Sequence, residues 1–379
     1  MTAFPSNLPG LTSVRFLLAL GVVFFHYQLQ WPWDAMLATG LLDRARLGVD
    51  IFFILSGFVL THAYREALDA GRLNYRRFIV ARVARIYPAH VAVLLFVLAM
   101  VGSAILVGAD FDARLYEPSG LLPTLLLIHA WYPEEFAAKW NGPSWSLSAE
   151  WFAYLVFPLF AWVGLKLRRR PWLLLGLSAL IFLTLDQFYQ LVFGDVVVHA
   201  QNRLGILRII PEFLFGVALY RLGERLQPAR AVAIAAAIAS AFLLLGLMHF
   251  KADDRIVVAA AGPLILALAL LSKTDADAGL AKPWMLASGE ASYALYLVHM
   301  PMLIAWKGAH SILTNRPSSY TFDWWEIGVL LVLTLSVAFA LHYLVEGPAR
   351  RWIRRRADGF WPDRSAEAAM KPGSQPPDI

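Results

Sequence analysis

The sequence predicts an all-α fold: a polytopic membrane bundle of about ten transmembrane helices, with both termini on the inner side. Three observations carry this. Hydrophobic residues make up 59% and charged residues only 16% of the 379 positions, too little charge for the surface of a soluble domain of this length. Apolar stretches of bilayer-crossing length, roughly 17 to 25 residues, recur along nearly the whole chain, and the mean hydropathy is +0.57. Lys and Arg are unevenly shared between alternate loops.

The stretches fall at 11–29, 47–64, 86–107, 150–166, 171–193, 206–220, 231–249, 256–272, 285–305 and 326–345. With the N-terminus inside, 23 of the 33 basic residues lie on the inner face, Arg15 and those grouped in the alternate loops that begin at Arg65, Lys166, Arg221, Lys273 and Arg350. That is the distribution the positive-inside rule expects of an N-in, C-in protein. The formal net charge of +6 then reflects topology and anionic headgroups, and basic residues divided among several inner loops make no nucleic-acid surface. Cysteine is absent, which excludes disulfides, thiolate metal sites and a cysteine nucleophile. No metal site is expected. Residues 1–356 read as one transmembrane domain, and 357–379, with Pro362, Pro372, Pro376 and Pro377, as a disordered cytoplasmic tail. A cleavable secretion signal ending near Ala35-Met-Leu-Ala38 is disfavoured because the basic leader is missing.

The first span is apolar except for Arg15 and His26. Eleven residues separate them, three turns plus about 20°, so they share a helix face about 16 Å apart along the axis. Ionisable groups inside a span are costly and by default functional. Span 2 opens Gly48-Val-Asp50 at the depth His26 has reached. Asp50 would either hold the imidazole by one ring nitrogen or serve its own helix N-terminus. The inner loop before span 3 carries Arg82 and Arg85, followed by Tyr87-Pro88, and all six of its basic residues are arginine. Guanidinium forks bind phosphate by paired hydrogen bonds, whereas a topological anchor needs no such choice.

In the outer loop 108–149, Leu121 to Trp131 is too short to span and reads as re-entrant or interfacial. Span 4 is introduced by Trp145-Ser146-Leu-Ser148-Ala-Glu150-Trp-Phe-Ala-Tyr154. Ser146, Glu150 and Tyr154, four apart, share a face, a hydroxyl–carboxylate–phenol stripe suited to a polyol at the outer mouth. An acid in the first helical turn is also common for purely structural reasons. In span 6, Arg208 and Glu212 would neutralise each other at i, i+4. Span 9 aligns Ser292, Tyr296 and His299 on one face, available for substrate or for interhelical hydrogen bonds. The last span ends Glu346-Gly-Pro348-Ala-Arg350-Arg351, topological anchors in the simplest reading.

Taken in order, these segments resemble the membrane-bound acyltransferase-3 family, which includes O-antigen and exopolysaccharide O-acetylases and some macrolide acylases. The resemblance runs from about residue 8 to 351. It implies a ten-helix domain in the cell inner membrane that takes an acetyl or other short acyl group from cytoplasmic acyl-CoA, acetyl-CoA above all, to a hydroxyl of a carbohydrate or glycolipid. No extracytoplasmic hydrolase-like domain is legible, as in single-module members. Carried onto this chain, Arg15, Arg82, Arg85 and Tyr87 would hold the donor. His26, Asp50 and Glu150 would be catalytic, and Trp145, Ser146, Ser148, Tyr154, Tyr296 and His299 would meet the acceptor. His26 would act either as general base, worth roughly 10² to 10⁴ in rate, or as the acyl carrier itself. A glycolipid transporter or flippase is the rival class, and a small glycoside such as a macrolide is the alternative acceptor.

Overall fold

The computed structural model of the protein describes residues 3–31, 39–109, 111–134, 139–274, 276–277, 279–317 and 320–360. Both the Ala35–Ala38 stretch and the expected tail beyond 360 lie outside them. Every regular element among the described residues is helical. The ten expected spans all coincide with helices: α1 (Pro9–Gln28), α2 (Gly48–Ala63), α3 (Tyr75–Val107), α4 (Trp145–Leu155) with α5 (Phe157–Lys166), α6 (Pro171–Phe193), α7 (Ile206–Gly223), α8 (Arg230–His249), α9 (Asp254–Leu271), α10 (Pro283–Thr314) and α11 (Trp324–Leu341). Seven of the helical segments are long and apolar enough to cross a membrane, and α4 with α5, bent by 57°, would make an eighth. The exceptions are α7, which carries Arg208, Glu212 and Arg221, and α10, diluted by tyrosine, histidine and proline.

Boundaries moved where polar residues extend a helix beyond the apolar stretch. The supposed inner loop before span 3 is helical: Asn74 caps it, its Oδ1 accepting from the Arg77 N–H at 3.2 Å, and α3 runs for 33 residues. Arg82 and Arg85 are therefore i, i+3 neighbours on a rigid helix face. At the other end α11 continues through a π turn, His342–Glu346, into α12 (Gly347–Phe360), which packs along α3. The re-entrant expectation for 121–131 corresponds to a short helix, Leu121–Leu125, followed by an inward turn at Leu127 with φ 56°. Buried Leu127 and Ala130 fasten it to the bundle.

Lipid is as apolar as leucine, so these helices associate through close packing and hydrogen bonds more than through the hydrophobic effect. The tightest crossing is α2 on α7. A Cβ on Gly57 would stand 2.0 Å from the Phe213 carbonyl oxygen, and one on Gly216 2.0 Å from that of Ile54. Gly216→Ala should therefore destabilise the protein by about 1–3 kcal/mol, the usual range for overpacking. Gly246→Ala, with nothing within 4 Å of its added Cβ, should leave the detergent melting curve unmoved. Equal melting of the two variants would contradict the crossing described.

Candidate active site

His26, in the last turns of α1, faces His299 of α10 across the interface of these two closely packed helices. Its Nδ1 lies 2.9 Å from the Val22 carbonyl and 3.1 Å from His299 Nε2. His299 Nδ1 lies 2.6 Å from the Tyr296 carbonyl. A carbonyl only accepts, so His299 carries its proton on Nδ1 and offers a bare Nε2. His26 then carries its proton on Nδ1, shared between the Val22 oxygen and His299, and its Nε2 is left as a bare acceptor. A neutral imidazole held in one tautomer with a free nitrogen is what a general base requires.

His26 borders a cavity of about 440 Å³ that is also lined by Trp145, Gln201, Asn202, Arg208 and Arg46. Arg208 is 3% exposed, and its Nε and Nη2 each donate to Asp50 at 2.5 Å. Nη1 donates to the Ala200 carbonyl at 3.2 Å, and the guanidinium lies 5.0 Å over the Trp145 ring. Bidentate pairing fixes both partners. Asp50 is thereby committed to Arg208, and the side chain that meets His26 Nδ1 is His299 instead. The expected Arg208–Glu212 ion pair does not form among the described residues, because Arg208 reaches across to α2; the buried Glu212 carboxylate lies beside the Arg208–Asp50 pair, attracted by the one and repelled by the other. His199, on the same cavity wall, bonds Asp254 at 2.9 Å and Asp195 at 2.7 Å. The Asp254 bond, together with Asp195, raises its pKa above the ordinary histidine value.

A second cavity, of about 130 Å³, holds Arg15, Arg82, Arg85, Glu150, Tyr154 and Tyr293 on its walls. Arg85 pairs with buried Glu346 of the π turn, which also accepts from His342 Nδ1 at 3.1 Å. The Arg85 guanidinium sits 5.2 Å over the Tyr293 ring. Arg82 has no carboxylate partner among the described residues. Its guanidinium is 5.6–5.9 Å from the rings of Tyr64, Phe78 and Tyr154, and its Nε is buried without an acceptor. Arg15 likewise makes no ion pair or hydrogen bond among the described residues. Glu150 Oε1 accepts from Ser56 Oγ at 2.7 Å and Tyr154 Oη at 2.5 Å. Three guanidinium groups face one carboxylate, Glu150, on the cavity lining, with Glu346 behind Arg85 and Glu290 near Arg15, so the lining itself carries positive charge that an anion would balance.

Several sequence expectations are redistributed. The Ser146–Glu150–Tyr154 stripe does share a face, but that face borders the arginine cavity and not the chamber of His26. Of the expected acceptor residues only Trp145 and Tyr296 reach the His26 chamber. Ser148 lines neither cavity: its Oγ accepts from the Ala130 N–H at 3.1 Å and its carbonyl from Trp131 Nε1 at 2.9 Å, so it clamps the 121–131 turn. Tyr87 also lines neither, donating to the Leu126 carbonyl at 3.2 Å. His299 is fully buried behind His26. The sequence reading missed Arg208 and Tyr293 as cavity residues and Glu346 as the partner of Arg85; all three contacts join helices far apart in the chain.

The acyltransferase-3 family profile, described as an acyltransferase domain, matches residues 8–343. Acyltransferase MdmB of Streptomyces mycarofaciens is 32% identical over 96% of this chain and 97% of its own length. A Staphylococcus aureus (strain COL) protein named "Putative O-acetyltransferase" is 26% identical over 78% of this chain. The match spans only 50% of that protein. No solved structure gives a significant match. A helical bundle with an arginine-lined cavity and a second cavity bordered by one of two paired histidines, matched to this profile over nearly its whole length, belongs to the acyltransferase-3 family of membrane enzymes that transfer acyl groups.

Proposed function

We propose that this enzyme moves an acetyl or other short acyl group from cytoplasmic acyl-CoA to a hydroxyl of a carbohydrate, such as an exopolysaccharide, O-antigen or lipid-linked sugar. In this reading α7 and α10 complete a ten-helix, N-in and C-in bundle in the inner membrane. The arginine cavity faces the cytoplasm and the His26 chamber the outer side. The observation that carries the reading is the pairing of an arginine-lined cavity, in which Arg15 and Arg82 make no close ion pair among the described residues, to a larger cavity that holds a histidine with a free Nε2. Coenzyme A is the abundant acyl carrier whose phosphates suit such guanidiniums. Trp145 with the Gln201 and Asn202 amides suits stacking and hydrogen bonding to a sugar.

The acceptor hydroxyl attacks the thioester carbonyl carbon as His26 Nε2 takes its proton. A C–O bond forms, the C–S bond breaks, and the proton passes from the imidazolium to the departing thiolate, which leaves as free thiol. Arg208, rigid on the chamber wall, orients the acceptor.

Purified protein in lipid nanodiscs, given acetyl-CoA and an outer-surface glycan fraction, should form O-acetyl ester detectable by mass spectrometry. Arg82→Gln and Arg15→Gln should each raise KM for acetyl-CoA about 10- to 100-fold, the value of one charged hydrogen bond, and leave kcat largely intact. An unchanged KM in both would remove coenzyme A from the arginine cavity. Surface glycans that stay acetylated but are no longer exported, in cells carrying His26→Ala, would favour the flippase instead.

A further inference from the structure

The two cavities have only Val49 and Tyr296 in common among their lining residues. Both side chains are nearly buried, at 6% and 7% exposure, and each is held. Tyr296 Oη donates to the Pro143 carbonyl at 3.0 Å and accepts from Ser146 Oγ at 2.8 Å. Its ring lies 5.7 Å from that of His299, the histidine behind His26. Val49 stands in the first turn of α2, between Gly48, where an added Cβ would stand 3.2 Å from the Leu18 carbonyl of α1, and Asp50, locked to Arg208 of α7. The Tyr296 hydroxyl cannot move without breaking its bonds to Pro143 and Ser146, and the backbone at Val49 is held through its neighbours Gly48 and Asp50.

From this we infer that Val49 and Tyr296 form the partition through which the acyl group passes, and that the gap between them sets which acyl-CoA the enzyme accepts. The inference rests on the donor and acceptor sides proposed above. The phosphates of the donor stay on the arginine side and His26 stands on the other, so only the acyl end of the carrier has to enter the gap. A β-branched valine against a tethered phenol leaves room for a short chain; each methylene more meets a fixed wall. Discrimination of this kind is worth about 10- to 200-fold per methylene in a shaped apolar pocket.

The test compares acetyl-CoA with butyryl-CoA in the full-length protein in nanodiscs. Val49→Ala removes two methyl groups from the partition and should raise kcat/KM for butyryl-CoA relative to acetyl-CoA at least tenfold. Tyr296→Phe keeps the ring but frees it from Pro143 and Ser146, and should shift the same ratio in the same direction by a smaller factor. Both changes are conservative, and the melting temperature of each variant reports whether it folds. A ratio equal to wild type in both folded variants overturns the partition. If wild-type protein turns over neither thioester, it is the acyl-CoA reading that fails. A wild-type enzyme active on acetyl-CoA whose selectivity ignores positions 49 and 296 loses only the present inference.

Discussion

His26→Ala is expected to lower kcat for acyl transfer by about 10² to 10⁴, the usual contribution of a positioned general base, with KM for acyl-CoA little changed. The reason for the split is spatial: His26 lines the chamber beyond the partition, while Arg15 and Arg82 line the other cavity. His299→Ala should produce a smaller loss, also in kcat. His26 Nδ1 would keep its 2.9 Å bond to the Val22 carbonyl, so the tautomer survives, but the ring loses the partner that fixes its angle. An equal loss in the two variants would mean that His299 contacts the reacting atoms. Rapid-quench labelling with radioactive acetyl-CoA and no acceptor should leave wild-type protein unlabelled. Label on His26 would replace proton transfer by acyl transfer through the imidazole.

Asp50→Ala should be the most destabilising single change, by about 3–5 kcal/mol, because it removes the bidentate partner of the buried Arg208 guanidinium and leaves only Glu212, one turn along α7, to balance its charge. Asp50 is fully buried and Arg208 is 3% exposed. The double variant Asp50→Leu/Arg208→Met should recover most of the stability, since a buried ion pair replaced by apolar groups of similar volume is often neutral or better. It should not recover activity, because Arg208 is also a chamber wall. Melting curves of the three proteins in detergent and their acetyl-transfer rates read both halves of this expectation. A single Asp50→Ala variant that melts with wild type would show that water or another group reaches Arg208.

Which parts of the site were readable from the chain follows from the range of the interactions. Arg15 and His26 share one helix, so their common face is a matter of 3.6-residue periodicity, and Arg15 does face a cavity where Arg82 and Arg85 converge. Ser146, Glu150 and Tyr154 were aligned for the same reason. Periodicity says nothing about the direction in which that face turns, and the stripe turned toward the arginines. Asp50 illustrates the limit best. Its depth made it a fair partner for His26, but Arg208, 158 positions away, offers a charged fork, and a buried carboxylate is better matched by a guanidinium than by an imidazole. His299 then took the place left beside His26.

The sequence by itself determined the helical membrane class, the positions of the helices, the family and the residue types from which a donor site and a base could be made. These depend on hydropathy, periodicity and ordered local motifs, all properties of contiguous chain. Only the tertiary structure decided that the histidines pair, that Asp50 locks Arg208, and that two cavities meet at Val49 and Tyr296. Each of these joins side chains from different helices. The choice among competing partners is made by the desolvation and geometry of the packed bundle, which no single helix contains.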